Sequence, residues 1–252
     1  MSLVTLKDNT FVNVVELLKD ILEDCVFTFT EKGIKIDTVD SSMTTFIKIN
    51  IKDIYSKCSL KKSVTIKVNL DNLLKILKCK EKDEKIKINF SADYIDIIFY
   101  NDLNETQSKY KLKLLTNDDE DEPPDMEEIE ANIQITMVSK YFTSLCKKIK
   151  QFDESLLFEC KKESGELFLK SGTEDSVELK IVEEKGKMNK IIIEEDVRAM
   201  ILIKFMMSFC KGEKFSEQVI INIENEETPL EIVYEFGNSY IKFYTSTQEI
   251  DE

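Results

Sequence analysis

Among the residues able to do chemistry, the lysines carry the clearest pattern. Four segments, Asn9–Leu22, Asp71–Lys82, Ser139–Lys150 and Ile201–Lys214, hold twelve lysines against five carboxylates, a local net of +7. The whole chain is formally −14, so everything outside those segments sums to −21. In the third of these segments, Phe142, Leu145 and Ile149 recur at three- and four-residue spacing, with Ser144, Lys147, Lys148 and, just past its end, Gln151 on the other side. Leu73, Leu74 and Leu77 oppose Lys75, Lys78 and Lys82 in the same way, and Phe205, Met206 and Phe209 oppose Lys204 and Lys211. Such spacing makes one apolar helix face and one cationic face. A lysine on an exposed helix face is ordinarily a solubility residue. Several such helices in one acidic chain instead point to a surface for a polyanion. A net charge of −14 excludes indiscriminate adhesion to nucleic acid or anionic membrane, so that contact must be local.

Other chemistries are poorly served. The chain has no histidine, which excludes Ser-His-Asp triads, Cys-His dyads and imidazole zinc sites. Its six cysteines, at 25, 58, 79, 146, 160 and 210, form no CxxC pair, so buried free thiols are expected rather than zinc. Six glycines include neither a P-loop nor a GxGxxG element. Carboxylate catalysis stays open in form but needs two acids in one cleft, and here the acids lie in runs. No cofactor is expected. No stretch approaches eighteen apolar residues and the start lacks a secretory signal, so a soluble intracellular protein is expected.

The elements that position the lysines are written twice. Phe11–Ile21 and Val26–Ile36 recur as Tyr141–Gln151 and Leu156–Leu169, displaced by about 130 residues. Leu73–Lys80 and Lys85–Phe90 return as Phe205–Gly212 and Val219–Glu224 at nearly the same offset. One offset across four elements is the mark of a duplicated module. Each half is strand-rich, with β-branched or aromatic enrichment or two-residue alternation in Val26–Phe29, Gly33–Thr38, Thr45–Ile51, Ser63–Asn69, Lys85–Phe90, Tyr94–Tyr100 and Ser108–Leu115, then Gln134–Val138, Leu156–Cys160, Leu167–Ser171, Val177–Val182, Lys190–Ile193, Val219–Glu224, Leu230–Phe236 and Tyr240–Thr245. Two helices interrupt each series. Between the halves, Thr116–Ala131 has nine carboxylates, no basic residue and Pro123-Pro124, the composition of an extended linker. It lacks the spacing and central glycine of an EF-hand loop. The expected domains are residues 1–115 and 132–252, joined by an acidic connector at 116–131.

Val39-Asp40-Ser41-Ser42, Leu74 to Cys79 (LKILKC), Tyr110 to Leu114 (YKLKL), Pro229-Leu230, Ile241 to Tyr244 (IKFY) and the acidic end Glu249–Glu252 occur in an order that resembles the proliferating cell nuclear antigen type of DNA sliding clamp. The resemblance spans nearly the whole chain. It implies an α+β DNA-clamp fold with two similar domains, antiparallel sheets outside and helices inside. Three protomers would form a ring around duplex DNA that tethers DNA polymerase and other replication or repair factors, with no enzymatic activity. Partners would include a clamp loader and short PIP-box-like peptides. Three copies of a +7 helix set would put +21 around the duplex, attracting phosphates from all sides without reading bases.

Carried onto this chain, the resemblance assigns DNA contact to Lys19, Lys75, Lys78, Lys147, Lys204 and Lys211; helical phase adds Lys80, Lys140 and Lys148. The first helix is the exception, since Glu16, Lys19 and Asp20 leave it at −1. The resemblance further implies a partner-peptide pocket at Val39, Met43, Thr44, Met126, Ile129, Pro229, Tyr244 and Thr247. Thr247 stands where relatives often have proline, and with the acidic linker this suggests basic-flanked peptides. Ring closure would use two edge strands, one with Ser108, Lys109, Tyr110, Leu112 and Leu114, the other with Val177, Leu179 and Ile181. A homotrimeric clamp is the first reading. A clamp-derived scaffold in a heterotrimer is the second, and a carboxylate-dependent enzyme the third. The nucleus or a viral replication compartment is the expected location, and a composition rich in Lys, Ile, Asn and Glu matches an AT-rich genome such as that of a large DNA virus.

Overall fold

The computed structural model describes residues 2–103, 106–116, 129–171, 176–184 and 188–250. They fall into two compact units. The first takes the chain through Thr38 and resumes at Lys48; the second takes Val39–Ile47 together with the C-terminal half.

Each unit follows the order βαβββββαβββ. The first runs β1 (Ser2–Leu6), α1 (Thr10–Leu18), β2 (Asp24–Thr30), β3 (Gly33–Val39), β4 (Thr45–Lys52), β5 (Tyr55–Cys58), β6 (Val64–Asn69), α2 (Leu70–Leu77), β7 (Lys85–Phe90), β8 (Tyr94–Asn101) and β9 (Thr106–Lys113). The second repeats this with β10 (Ile133–Val138), α3 (Ser139–Ile149), β11 (Ser155–Lys161), β12 (Glu166–Ser171), β13 (Val177–Ile181), β14 (Met188–Ile193), β15 (Val197–Leu202), α4 (Ile203–Phe209), β16 (Gln218–Ile223), β17 (Leu230–Phe236) and β18 (Ser239–Thr245). Strand order repeats as well. The antiparallel set β5-β1-β7-β8-β9 corresponds to β14-β10-β16-β17-β18, and β3-β2-β6 to β12-β11-β15. The duplication read from four sequence segments therefore extends to every element.

Helices form where the apolar period changes from two to between three and four. α2 buries Leu70, Leu73, Leu74 and Leu77, and is capped by Asn69, whose side-chain oxygen accepts the Asn72 N–H at 3.1 Å. α1 buries Phe11, Val14, Val15, Leu17 and Leu18. Phe11 meets Phe27 edge-on at 5.6 Å between ring centroids. α3 buries Phe142, Leu145, Cys146 and Ile149, while Phe209 of α4 stacks on Phe243 at 4.4 Å. Burial of these faces against the sheets drives the fold, since a side chain of this size contributes about 2 kcal/mol when taken out of water.

Three helix ends differ from the expectation. α1 stops at Leu18 rather than Leu22, and α2 at Leu77 rather than Lys82. After α2 the Cys79 N–H reaches Ile76 O at 2.9 Å and the Lys80 N–H reaches Leu77 O at 3.2 Å, a tightening that ends the helix. Glu84 then takes the Glu81 N–H at 2.8 Å. Ile201 and Leu202 belong to β15, and α4 becomes a 3-10 turn at Cys210–Lys214. Gly212 lets that turn lie against Tyr234, whose ring would sit 2.3 Å from any Cβ there.

Candidate nucleic-acid interface and partner surface

In the first unit, Lys75 and Lys78 are exposed opposite the buried leucines of α2, Lys78 as its C-cap. Lys80 and Lys82 were expected on the helix but lie in the turn after it, so the helical phase that selected Lys80 does not hold there. α1 carries no lysine within its helical residues. Lys19 is its C-cap and forms an ion pair with Asp71, in the first turn of α2, at 2.6 Å. The hydrogen bond and charge of Asp71 raise the Lys19 pKa.

In the second unit, Lys140, Lys147 and Lys148 are exposed on α3, and Lys150 is its C-cap. Lys147 and Lys148 occupy the last turn, where the helix dipole favours cations. Lys204 is exposed at the start of α4, and Lys211 is half-buried in the 3-10 turn. Lys150 was counted in the charge pattern but not singled out. Its signal was available: it stands 131 residues after Lys19, at the same cap of the repeated helix. Lys150 and Lys204 border one cavity of about 470 Å³ together with Asp153 and Glu154.

The two strands expected to join protomers are both sheet edges. β9 has β8 on one side only, and β13 has β12 on one side only, among the described residues. Ser108, Lys109, Tyr110 and Leu112 lie in β9. Leu114 lies just beyond it, its N–H donating to Asp93 O at 2.9 Å. Val177, Leu179 and Ile181 lie in β13. Lys109, Lys111 and Lys113 are exposed on β9, while Glu178, Glu183 and Glu184 are exposed on or just after β13.

The residues expected at a partner pocket fall in the second unit. Asp40 organises the loop between β3 and β4, accepting the N–H groups of Thr44 at 2.8 Å and Thr45 at 2.6 Å and the hydroxyl of Ser42. Burial opposes ionisation of Asp40, but those hydrogen bonds outweigh it and hold the carboxyl below its usual range. The loop presents Met43 outward, 67% exposed and at φ 57°. Thr44 O accepts the Ser246 N–H at 3.0 Å, and Thr247 donates to Glu226 O at 2.7 Å, which brings this loop beside the end of β18. Pro229 immediately precedes β17, where Leu230 pairs with Thr245. Tyr244 is buried, with its ring 5.7 Å from that of Phe46. Val39, Thr44, Ile129 and Pro229 are half-buried. Met126 lies outside the described residues.

The chain is thus a duplicated α+β unit with lysines exposed on its helices and acidic residues in excess elsewhere, the arrangement expected of a clamp. Family comparison agrees. Residues 4–122 match the N-terminal domain of proliferating cell nuclear antigen and residues 125–248 match its C-terminal domain. The proliferating cell nuclear antigen of Chaetomium thermophilum is 28% identical over 248 residues, covering 95% of this chain and 94% of that protein. Proliferating cell nuclear antigen 2 of Drosophila melanogaster is 24% identical over 242 residues, covering 94% and 93%. The chain belongs to the proliferating cell nuclear antigen family of DNA sliding clamps.

Proposed function

We propose that the exposed lysines of the repeated helices are the surface that faces DNA in this clamp. The protein is a DNA sliding clamp without enzymatic activity: three copies form a ring that encircles duplex DNA and tethers DNA polymerase and other replication and repair proteins. Lys75, Lys78, Lys140, Lys147, Lys148, Lys204 and Lys211 supply the positive lining, with Lys150 added and Lys19 partly neutralised. Lysines at this density attract phosphates without reading bases, so the ring moves along any sequence. The observation that carries this reading is the cationic outer face recurring on α2, α3 and α4 in a chain of net −14.

Ring closure pairs β9 of one protomer with β13 of the next. The duplication supports this, because β9 corresponds to β18 and β13 to β4, and the end of β18 already lies beside the loop leading into β4 within the second unit. The lysines of β9 meet the glutamates around β13, a head-to-tail complement that three copies can close. Partner peptides dock by an apolar anchor over Met43, Thr44, Pro229 and Thr247, with basic flanking residues preferred because the connector 116–131 between the domains 1–115 and 132–252 is acidic in sequence. The working location is the nucleus or the replication compartment of a large DNA virus; no described helix is long and apolar enough to cross a membrane.

The test replaces Lys75, Lys78, Lys147 and Lys211 with Glu. The expected variant remains a trimer by light scattering, yet no longer stimulates polymerase and no longer accumulates on nicked circular DNA. Stimulation equal to that of the unmodified protein would end the assignment. A monomer at micromolar concentration in the unmodified protein would point instead to a heterotrimeric scaffold.

A further inference from the structure

A second group of lysines, outside the helices, gathers on the first unit. Lys32 from the β2–β3 turn, Lys52 from the end of β4 and Lys57 from β5 surround a concave cavity of about 340 Å³, and Lys7, just after β1, completes its rim. Backbone hydrogen bonds tie these turns together. The Lys7 N–H donates to Ile54 O at 2.9 Å and the Asp53 N–H to Lys32 O at 3.2 Å, with Asp53 at φ 56°. Lys7 also lines a neighbouring cavity of about 210 Å³, which it shares with Lys80 and Lys82. Lys80 follows the α2 cap Lys78 by two residues. A single track of six lysines thus leads from the exposed end of α2, past Lys7, to Lys57.

Four carboxylates share the two cavities. Two of them are already engaged by the backbone, Asp8 with the Thr10 N–H at 2.8 Å and Glu84 with the Glu81 N–H at 2.8 Å. Lys85, which also lines the second cavity, pairs with Asp102 and stands beside the track, and within the track Lys80 Nζ donates to Glu81 O at 3.1 Å. Six lysines to four acids is a local reversal in a chain with 49 acidic and 35 basic residues.

We propose that this track holds the phosphodiester backbone of DNA where it leaves the ring, extending the helix-lined contact onto a face of the first unit. The proposal rests on the DNA-facing reading of α2. Its lining favours phosphate over an acidic polypeptide: the cationic groups are all lysine, and the one aromatic wall, Tyr55, has its hydroxyl committed to Gly33 O at 2.9 Å. A protein partner needs buried apolar anchors, which the track does not offer. The second unit has no equivalent of its central lysine, because β10 passes into α3 at Val138–Ser139 with no loop corresponding to Lys7–Asn9. Each protomer carries the track once.

The test uses the full-length trimer with Lys7, Lys32 and Lys57 replaced by Ala, and as a bulk-charge control Lys61→Ala with Lys62→Ala, two exposed lysines of the same unit outside the track. Affinity for duplex DNA is measured between 50 and 200 mM salt, roughly the range over which phosphate contacts separate. Loss of these three lysines is expected to reduce the slope of log K against log salt by about 2.7, roughly 0.9 for each phosphate contact, with no change in the control. A photo-crosslinking side chain at position 57 of the loaded ring is expected to label DNA; should the triple variant fail to form trimers, this labelling, with Lys32→Ala alone, decides the matter. An unchanged slope and no labelling, while the four-lysine helix variant still fails to load, would overturn the track and leave the channel standing. A helix variant that loads normally would remove the channel reading instead. Unchanged DNA binding with weakened binding of polyglutamate would reassign the surface to an acidic protein.

Discussion

The two helix pairs occupy the same places in their repeats yet treat charge differently. In the first, the cap of α1 is Lys19 and the second residue of α2 is Asp71, and the two neutralise each other at 2.6 Å. In the second, the corresponding positions are Lys150 and Lys204, both positive and bordering one cavity. The positions that make an ion pair in one repeat hold two lysines in the other, in a notch they share with Asp153 and Glu154. A duplicated fold need not treat charge symmetrically, and the helix segments of the second unit carry the larger net positive charge.

Reversing both members of the notch, Lys150→Glu with Lys204→Glu, is expected to cost more than tenfold in residence time on nicked circles at physiological salt, because two phosphate contacts become repulsions. Equal loss from Lys19→Glu with Lys75→Glu would erase the asymmetry. A second contrast concerns buried carboxylates. Near the start of β17, Glu231 is held by Lys242 at 2.8 Å and Asn222 at 2.6 Å, while near the start of β8 Asp96 meets Lys109 at 2.8 Å across an exposed edge. Glu231→Ala is expected to destabilise the fold by about 3 kcal/mol in chemical denaturation, since it leaves Lys242 without its buried partner. Asp96→Ala is expected to cost less, its lysine being half exposed.

Burial works against ionisation of Glu231, but Lys242, Asn222 and Tyr244 overcome it and set its pKa below the ordinary 4.5. A depressed folded-state pKa gives stability that is complete above about pH 4.5 and lost as pH falls through the folded value. The gap in melting temperature between the unmodified protein and Glu231→Gln is therefore expected to be constant from pH 7 to 5 and to narrow progressively as pH falls below about 4.5. Smallest of all, Asp71→Asn is expected to release Lys19 and raise DNA affinity two- to threefold at low salt, with no gain at high salt. Lys19→Ala alone should change affinity little, and a large loss from it would show that Asp71 does not mask it.

Charge and periodicity make the repeat, its helices and most of its strands legible in the sequence. Three strands are not. β5 is a four-residue edge with no buried position, so it shows no alternation, and β1 is five residues beside the chain start. β15 runs into α4 with no capping side chain, so Ile201 and Leu202 read as helix. The lysines of α2 and α3 were legible because a helix displays its spacing locally. The track through Lys7, Lys32, Lys52 and Lys57 was not, because four separate segments supply one residue each and only the sheet registers bring them together. Tyr244, which the resemblance places at the partner pocket, is buried against Phe46, a packing that linear order does not reveal.

The open edges of β9 and β13 have a thermodynamic consequence. A lone protomer leaves two rows of peptide groups to water, whereas a ring closed by the proposed β9–β13 pairing satisfies them with its own kind, so that association and folding share one free energy. Dilution should then loosen the fold itself, and the midpoint of heat unfolding should climb with protein concentration as mass action refills the ring.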